Sequence, residues 1–89
     1  MADQEESLIE YPSDFPIKVM GKSHPEFAQR LTEVVVQFDP AFDPASVEMR
    51  ASGKGNYIGL TFTVRATSRE QLDELYRALT SHEMVAYVL

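Results

Sequence analysis

The most regular run in this 89-residue chain is Tyr57-Ile58-Gly59-Leu60-Thr61-Phe62-Thr63-Val64-Arg65-Ala66. Apolar residues occupy every second position from Ile58 to Ala66, and mostly small, polar or charged residues fill the positions between them. Because successive side chains of a β-strand point to opposite faces, the run predicts a strand with one buried and one wetter face. Such a strand is typical of an antiparallel sheet covered on one side only.

The sequence before this run predicts a hairpin. Val47, Met49 and Ala51 alternate with polar or charged residues, which is the period of a second half-buried strand. Residues 52–56, which hold two glycines, join that strand to the regular run. Glycine suits such a loop because it adopts backbone angles that other residues avoid.

The sequence after the run predicts a helix and a last strand. Thr67-Ser68-Arg69-Glu70 has the spacing of a capping box, which marks the start of a helix. Leu72, Leu75 and Leu79 then recur at helical spacing. Residues 84–89 are almost entirely apolar and predict a closing strand.

Upstream, the same strand-helix order is predicted once more. Residues 15–21 alternate as a first strand. Ser23 and Glu26 have capping-box spacing and predict a helix that begins there and runs to about Phe38. Two Asp-Pro pairs in residues 39–44 end that helix, since proline disfavours helix at the residue before it.

The predicted order is therefore β-α-β-β-α-β. Two right-handed crossovers joined by a hairpin give an α+β, ferredoxin-like sandwich. Its antiparallel sheet of four strands has the order 4-1-3-2, and both helices lie on one face.

The charge of the chain is concentrated at one end. The formal net charge is −6, and five of the fourteen acidic residues but none of the eight basic residues lie in residues 1–14. We therefore expect an acidic N-terminal arm over residues 1–14, disordered at its start, and a single nearly neutral domain over residues 15–89.

The composition and motifs disfavour several functions. Nucleic acid is not expected as a partner, because binding relies on basic residues and the open sheet face offers only Tyr57 for base stacking. The chain has no cysteine, neither histidine stands in a metal-site spacing, and no nucleotide or nucleophile motif occurs. A non-enzyme without cofactor is predicted. No signal sequence or long apolar run is present, so we expect a cytoplasmic protein away from membranes.

Two groups of residues are candidate sites. The glycine-containing loop around Lys54 either holds an anion on its backbone amides or is an ordinary turn. The open sheet face, with Lys18, Met20, Tyr57 and Arg65, is either a partner surface or ordinary sheet surface with a basic border.

Three strings carry a resemblance to a known family. Phe15-Pro16-Ile17-Lys18-Val19-Met20-Gly21, Lys54-Gly55-Asn56-Tyr57 and the final Val88-Leu89 resemble the YbeD-like family of small uncharacterised bacterial proteins, over roughly residues 8–89. The resemblance implies a sandwich similar to the ACT-type regulatory domains of metabolic enzymes, and it implies no catalytic residue. The position of the ACT effector loop falls on Gly21, Lys22 and Ser23.

Two functions are therefore predicted. The first is a regulatory or adaptor domain that associates with another protein or with a second copy of itself. The alternative is a sensor of amino acids or small anionic metabolites, ACT-like in its use of Gly21, Lys22 and Ser23, with Lys54 beside them.

Overall fold

Four strands and two long helices follow one another in the predicted order. The computed structural model describes residues 10–51 and 54–89, so the predicted disordered start of the arm lies outside the described residues. The elements are β1 (Ser13–Lys22), α1 (Phe27–Phe38), β2 (Glu48–Ala51), β3 (Tyr57–Ala66), α2 (Arg69–Thr80) and β4 (Val85–Val88). A short 3₁₀ turn, Pro44–Ser46, precedes β2.

The sheet has the order β2-β3-β1-β4, and every neighbouring pair is antiparallel. The two central strands are ten residues long and pair along their whole length, from Ser13 opposite Ala66 to Lys22 opposite Tyr57. The edge strands β2 and β4 have four residues each. The ferredoxin-like fold and the strand order 4-1-3-2 are confirmed.

One face of the sheet is covered by both helices, and the core lies between these layers. Alternate residues of β1 and β3 meet the apolar stripes of the helices there, as their periods of two and 3.6 require. The buried apolar side chains are Ile17, Val19, Phe27, Leu31, Val35, Phe42, Leu60, Phe62, Val64, Ala66, Leu72, Leu75 and Leu79.

The start of α1 differs from the predicted capping box. The helix begins at Phe27, and Glu26 holds the N-cap position without a side-chain cap. His24 rather than Ser23 accepts from the first amides: its Nδ1 accepts from the amide of Glu26 at 3.0 Å, and its carbonyl oxygen accepts from the amide of Phe27 at 3.1 Å. The Glu26 carboxylate instead accepts from Arg30 Nε at 2.8 Å.

The cap of α2 lies one residue later than predicted. Ser68 Oγ accepts from the amide of Gln71 at 3.0 Å. The Gln71 side chain reaches back, and its Oε1 accepts from the amide of Thr67 at 2.7 Å. The first bond is that of a capping box, whereas the second goes to the residue before the N-cap, so Gln71 takes a part similar to the one that the sequence pattern assigned to Glu70.

Candidate functional site

The face of the sheet that carries no helix is built from the alternate residues left out of the core. Its central pairs are Lys18 opposite Thr61 and Met20 opposite Gly59. Edge strand β4 places Tyr87 beside Met20, and β2 places Arg50 beside Gly59. The backbone register between β1 and β3 therefore assembles this surface from residues about forty positions apart in the chain.

A groove of about 370 Å³ lies at the centre of this open face. Gly59 on β3 and Met20 on β1 are both part of its lining. The Met20 side chain packs over Gly59, since a Cβ built on Gly59 would stand 2.7 Å from the Met20 sulfur. The groove is lined by Lys18, Met20, Glu48, Met49, Arg50, Ala51, Gly59, Leu60, Thr61 and Leu89.

The open face is positive although the chain as a whole is negative. Four basic and two acidic side chains point to this side of β1, β2 and β3, which gives the face a net charge of +2 against −6 for the chain. These charged residues are Asp14, Lys18, Lys22, Glu48, Arg50 and Arg65. A surface of this sign attracts acidic partners and repels basic ones.

The four residues predicted for the interaction face all lie on it, but only two line the groove. Lys18 and Met20 are groove residues, whereas Tyr57 stands two positions beyond Gly59 toward the hairpin loop. Arg65 stands four positions beyond Thr61 in the other direction, roughly 13 Å along the strand. There its Nη1 lies 3.4 Å from a carboxylate oxygen of Asp14.

The residues predicted for an effector loop meet at one end of the sheet. The bond from the Ser23 amide to the Asn56 carbonyl joins the exit of β1 to the hairpin loop that carries Lys54. Lys22 and Lys54 are both exposed. Gly55 has a φ of +72°, so this loop needs glycine for its turn.

Gly21, the first residue of the predicted effector loop, is required for packing at the exit of β1. It is buried, and a Cβ built there would collide with the Phe27 ring and the carbonyl oxygen of Met84. The glycine therefore lets α1 and the chain before β4 pack against β1.

Sequence reasoning missed Gly59 as the centre of the site. A glycine inside an apolar strand pattern signals a close approach or a gap, and this signal was present in the regular run. Its pairing with Met20 and Arg50 follows from strand register, which the local sequence does not reveal.

The titratable groups with displaced pKa values lie away from this groove. The hydrogen bond and the charge of Arg30 lower the pKa of Glu26, and Glu26 in turn raises the pKa of Arg30. Burial raises the pKa of the Tyr76 phenol. Within residues 10–51 and 54–89, no three His, Asp or Glu side chains are grouped to hold a metal ion. Of the helices described, none is both long and apolar enough to cross a membrane.

The family model described as "Protein of unknown function (DUF493)" matches residues 6–89. The chain belongs to this family. It is 85% identical over 85 residues to a UPF0250 protein of Bordetella parapertussis, covering 96% of this chain and 93% of that one. It is 64% identical over 89 residues to a UPF0250 protein of Paraburkholderia phytofirmans, with both chains covered completely. The predicted YbeD-like membership is confirmed.

Two solved structures of low sequence identity share the fold. Protein HP0495 from H. pylori superposes with a TM-score of 0.75 at 15% identity, over 91% of this chain and 85% of that one. The ACT domain from the GTP pyrophosphokinase of Chlorobium tepidum gives 0.58 at 18% identity, over 86% and 97%. The architecture of this family member is thus ACT-like.

Proposed function

We propose that this protein is a cytoplasmic, non-enzymatic regulatory or adaptor domain that binds another protein through its open sheet face. The observation that carries the proposal is the groove at the centre of that face, where Met20 packs over Gly59 between Lys18 and Arg50. A groove in a sheet gives a partner side chain a place to insert, which a flat surface does not.

The chemistry of the groove specifies the partner. Met20 supplies a flexible apolar wall, and Leu89 at the rim is 66% exposed. Lys18 and Arg50 stand on either side, on β1 and β2. This arrangement fits an apolar anchor residue flanked by acidic side chains on a partner surface or peptide.

Site-directed crosslinking tests the proposal. A photoreactive p-benzoylphenylalanine at Thr61 stands in the groove, and the same residue at Glu74 stands on the exposed side of α2. We expect a discrete crosslinked product in the host cell from the Thr61 position only. Equal products from both positions, or none from Thr61, would contradict the proposal.

The alternative, an ACT-like ligand sensor, is favoured by one observation. The Ser23–Asn56 bond places Lys22 and Lys54 at the same end of the sheet, where a small anion would meet two ammonium groups. Gly21 would serve this site only through packing, as described above.

A thermal-shift screen of amino acids and small anionic metabolites tests the alternative. A ligand present at 100 times its Kd adds ~2.7 kcal/mol to the free energy of unfolding. The shift should disappear in Lys54→Ala and persist in Arg69→Ala, which removes a positive charge from α2 instead. A panel without any shift would exclude this function.

A further inference from the structure

The outer edge of β2 is the second surface with unusual properties. β2 stands at one end of the strand order, and its four residues are all exposed. Edge strands present N–H and C=O groups that another strand can pair with, and proteins usually protect them with charges or coverage. Here the two charges, Glu48 and Arg50, have opposite signs.

The apolar residue between these charges is exposed as well. Met49 pairs with Leu60 and so points to the helix-covered side, yet it remains 59% exposed because β2 is the last strand of the sheet. Beside it, a groove of about 380 Å³ separates β2 from α1 and is lined by Ala28, Gln29, Thr32, Glu33, Pro44 and Val47. A methionine next to an open groove, on the edge of the sheet that the described residues form, has the properties of a contact surface.

We infer that β2 pairs antiparallel with β2 of a second copy of this chain, on a two-fold axis through Met49. A two-fold axis perpendicular to the sheet relates antiparallel strands, and residues directly opposite one another then share a face. One residue must therefore stand opposite its own copy. The three central choices are Glu48, Met49 and Arg50.

Charge selects among these three registers. An axis through Glu48 sets two carboxylates against each other, and an axis through Arg50 sets two guanidinium groups together. Like charges directly opposite are destabilising in a sheet. An axis through Met49 instead sets Glu48 against the partner's Arg50, and does so twice by symmetry.

The register with its axis through Met49 also produces an apolar contact on the helix-covered side. Met49 and its copy meet on the axis, next to the two grooves between β2 and α1. The two sheets become one of eight strands, with the four helices on one side and both open faces on the other. The backbone groups at the edge of β2 gain partners, which removes the exposed edge.

Charge reversal on the purified chain tests the inference by sedimentation velocity across protein concentrations. Wild type should be in monomer–dimer equilibrium. Glu48→Arg alone and Arg50→Glu alone each create two like-charge contacts and should weaken the dimer about tenfold or more. The double variant E48R/R50E restores opposite charges and should regain the dimer.

Mixing the two single variants gives the sharpest result. Every contact in the mixed pair is between opposite charges, so a heterodimer should form where neither variant dimerises alone. Glu74→Arg makes the same charge change on α2 and should leave the dimer unaltered. A wild-type monomer at about 1 mM, or a dimer indifferent to all these variants, would overturn the inference.

The dimer and the proposed partner surface are separable. Sedimentation of the purified chain involves no partner, whereas crosslinking from Thr61 reports on the partner and not on the edge of β2. Failure to observe the dimer would not contradict the partner surface, and failure to observe the crosslink would not contradict the dimer.

Discussion

The two faces of the sheet are built from alternate residues of the same strands, but one face is packed against helices and the other is open. On the covered face, Phe62 is fully buried and its ring centroid lies 5.8 Å from that of Phe42. On the open face, its neighbours Thr61 and Thr63 have no helix above them. Close packing constrains the size and shape of residues on the covered face. On the open face, the core does not constrain the choice of residue, and under our proposal a binding partner does.

The two glycines of the central strands show this difference most clearly. At Gly21, on the covered face, an added Cβ would meet the Phe27 ring and a backbone carbonyl, neither of which can move easily. At Gly59, on the open face, it would meet the end of the flexible Met20 side chain. The first glycine is required by the fold, and the second lets the Met20 side chain pack over β3 in the groove.

The largest contrast should come from adjacent residues of β3. Phe62→Ala removes a fully buried ring and should lower the free energy of unfolding by ~3–5 kcal/mol, including the cavity left behind. Thr63→Ala, one residue later on the exposed face, should change it by less than ~0.5 kcal/mol. Urea unfolding followed by circular dichroism measures both. Similar losses would mean that the open face is packed after all.

The next contrast concerns two carboxylates that contact the same arginine. Asp39 is only 7% exposed and accepts from the Arg65 amide at 2.9 Å, whereas Asp14 is exposed and meets its guanidinium at 3.4 Å. Asp39→Ala leaves the partly buried Arg65 N–H without this charged acceptor and should lower the free energy of unfolding by ~1.5–3 kcal/mol. Asp14→Ala should lower it by less than ~1 kcal/mol. Equal effects in the same urea assay would contradict this distinction.

The glycines give the third contrast. Gly21→Ala should destabilise by ~1–3 kcal/mol through overpacking against Phe27. Gly59→Ala should have a smaller effect, because Met20 can change rotamer and alanine reduces the entropy of the unfolded chain. Thermal unfolding of the two variants in parallel measures the difference. A larger loss at Gly59 would show that the groove is part of the core.

The smallest effect is a pH dependence on the helical side. The pKa of Glu26 is lowered by Arg30, so their interaction stabilises the folded chain above the usual glutamate pKa and is lost as the pH falls through the lowered value. Glu26→Gln should remove this dependence in the acidic range below about pH 5. Unfolding curves of both proteins should converge at the acidic end; a constant difference at every pH would contradict the assignment.

The sequence predicts the fold well because its signals are local periods. The alternation in β3 and the leucine spacing of α2 each identify an element without knowledge of its neighbours. The predicted start of α1 was wrong because the Ser-x-x-Glu spacing does not show that His24 Nδ1, rather than Ser23, accepts from the amide of Glu26. The groove could not be predicted because its lining residues come together only through strand pairing, as Met20 and Gly59 do.

Filling the groove of the open face tests most directly whether this face is the partner surface. Gly59→Leu should remain folded, because its side chain points away from the core and only the flexible end of the Met20 side chain must move. The affinity-tagged variant should recover none of the partner that crosslinks at Thr61, while Glu74→Arg recovers it fully. A folded Gly59→Leu variant that still binds this partner at wild-type strength would contradict the account.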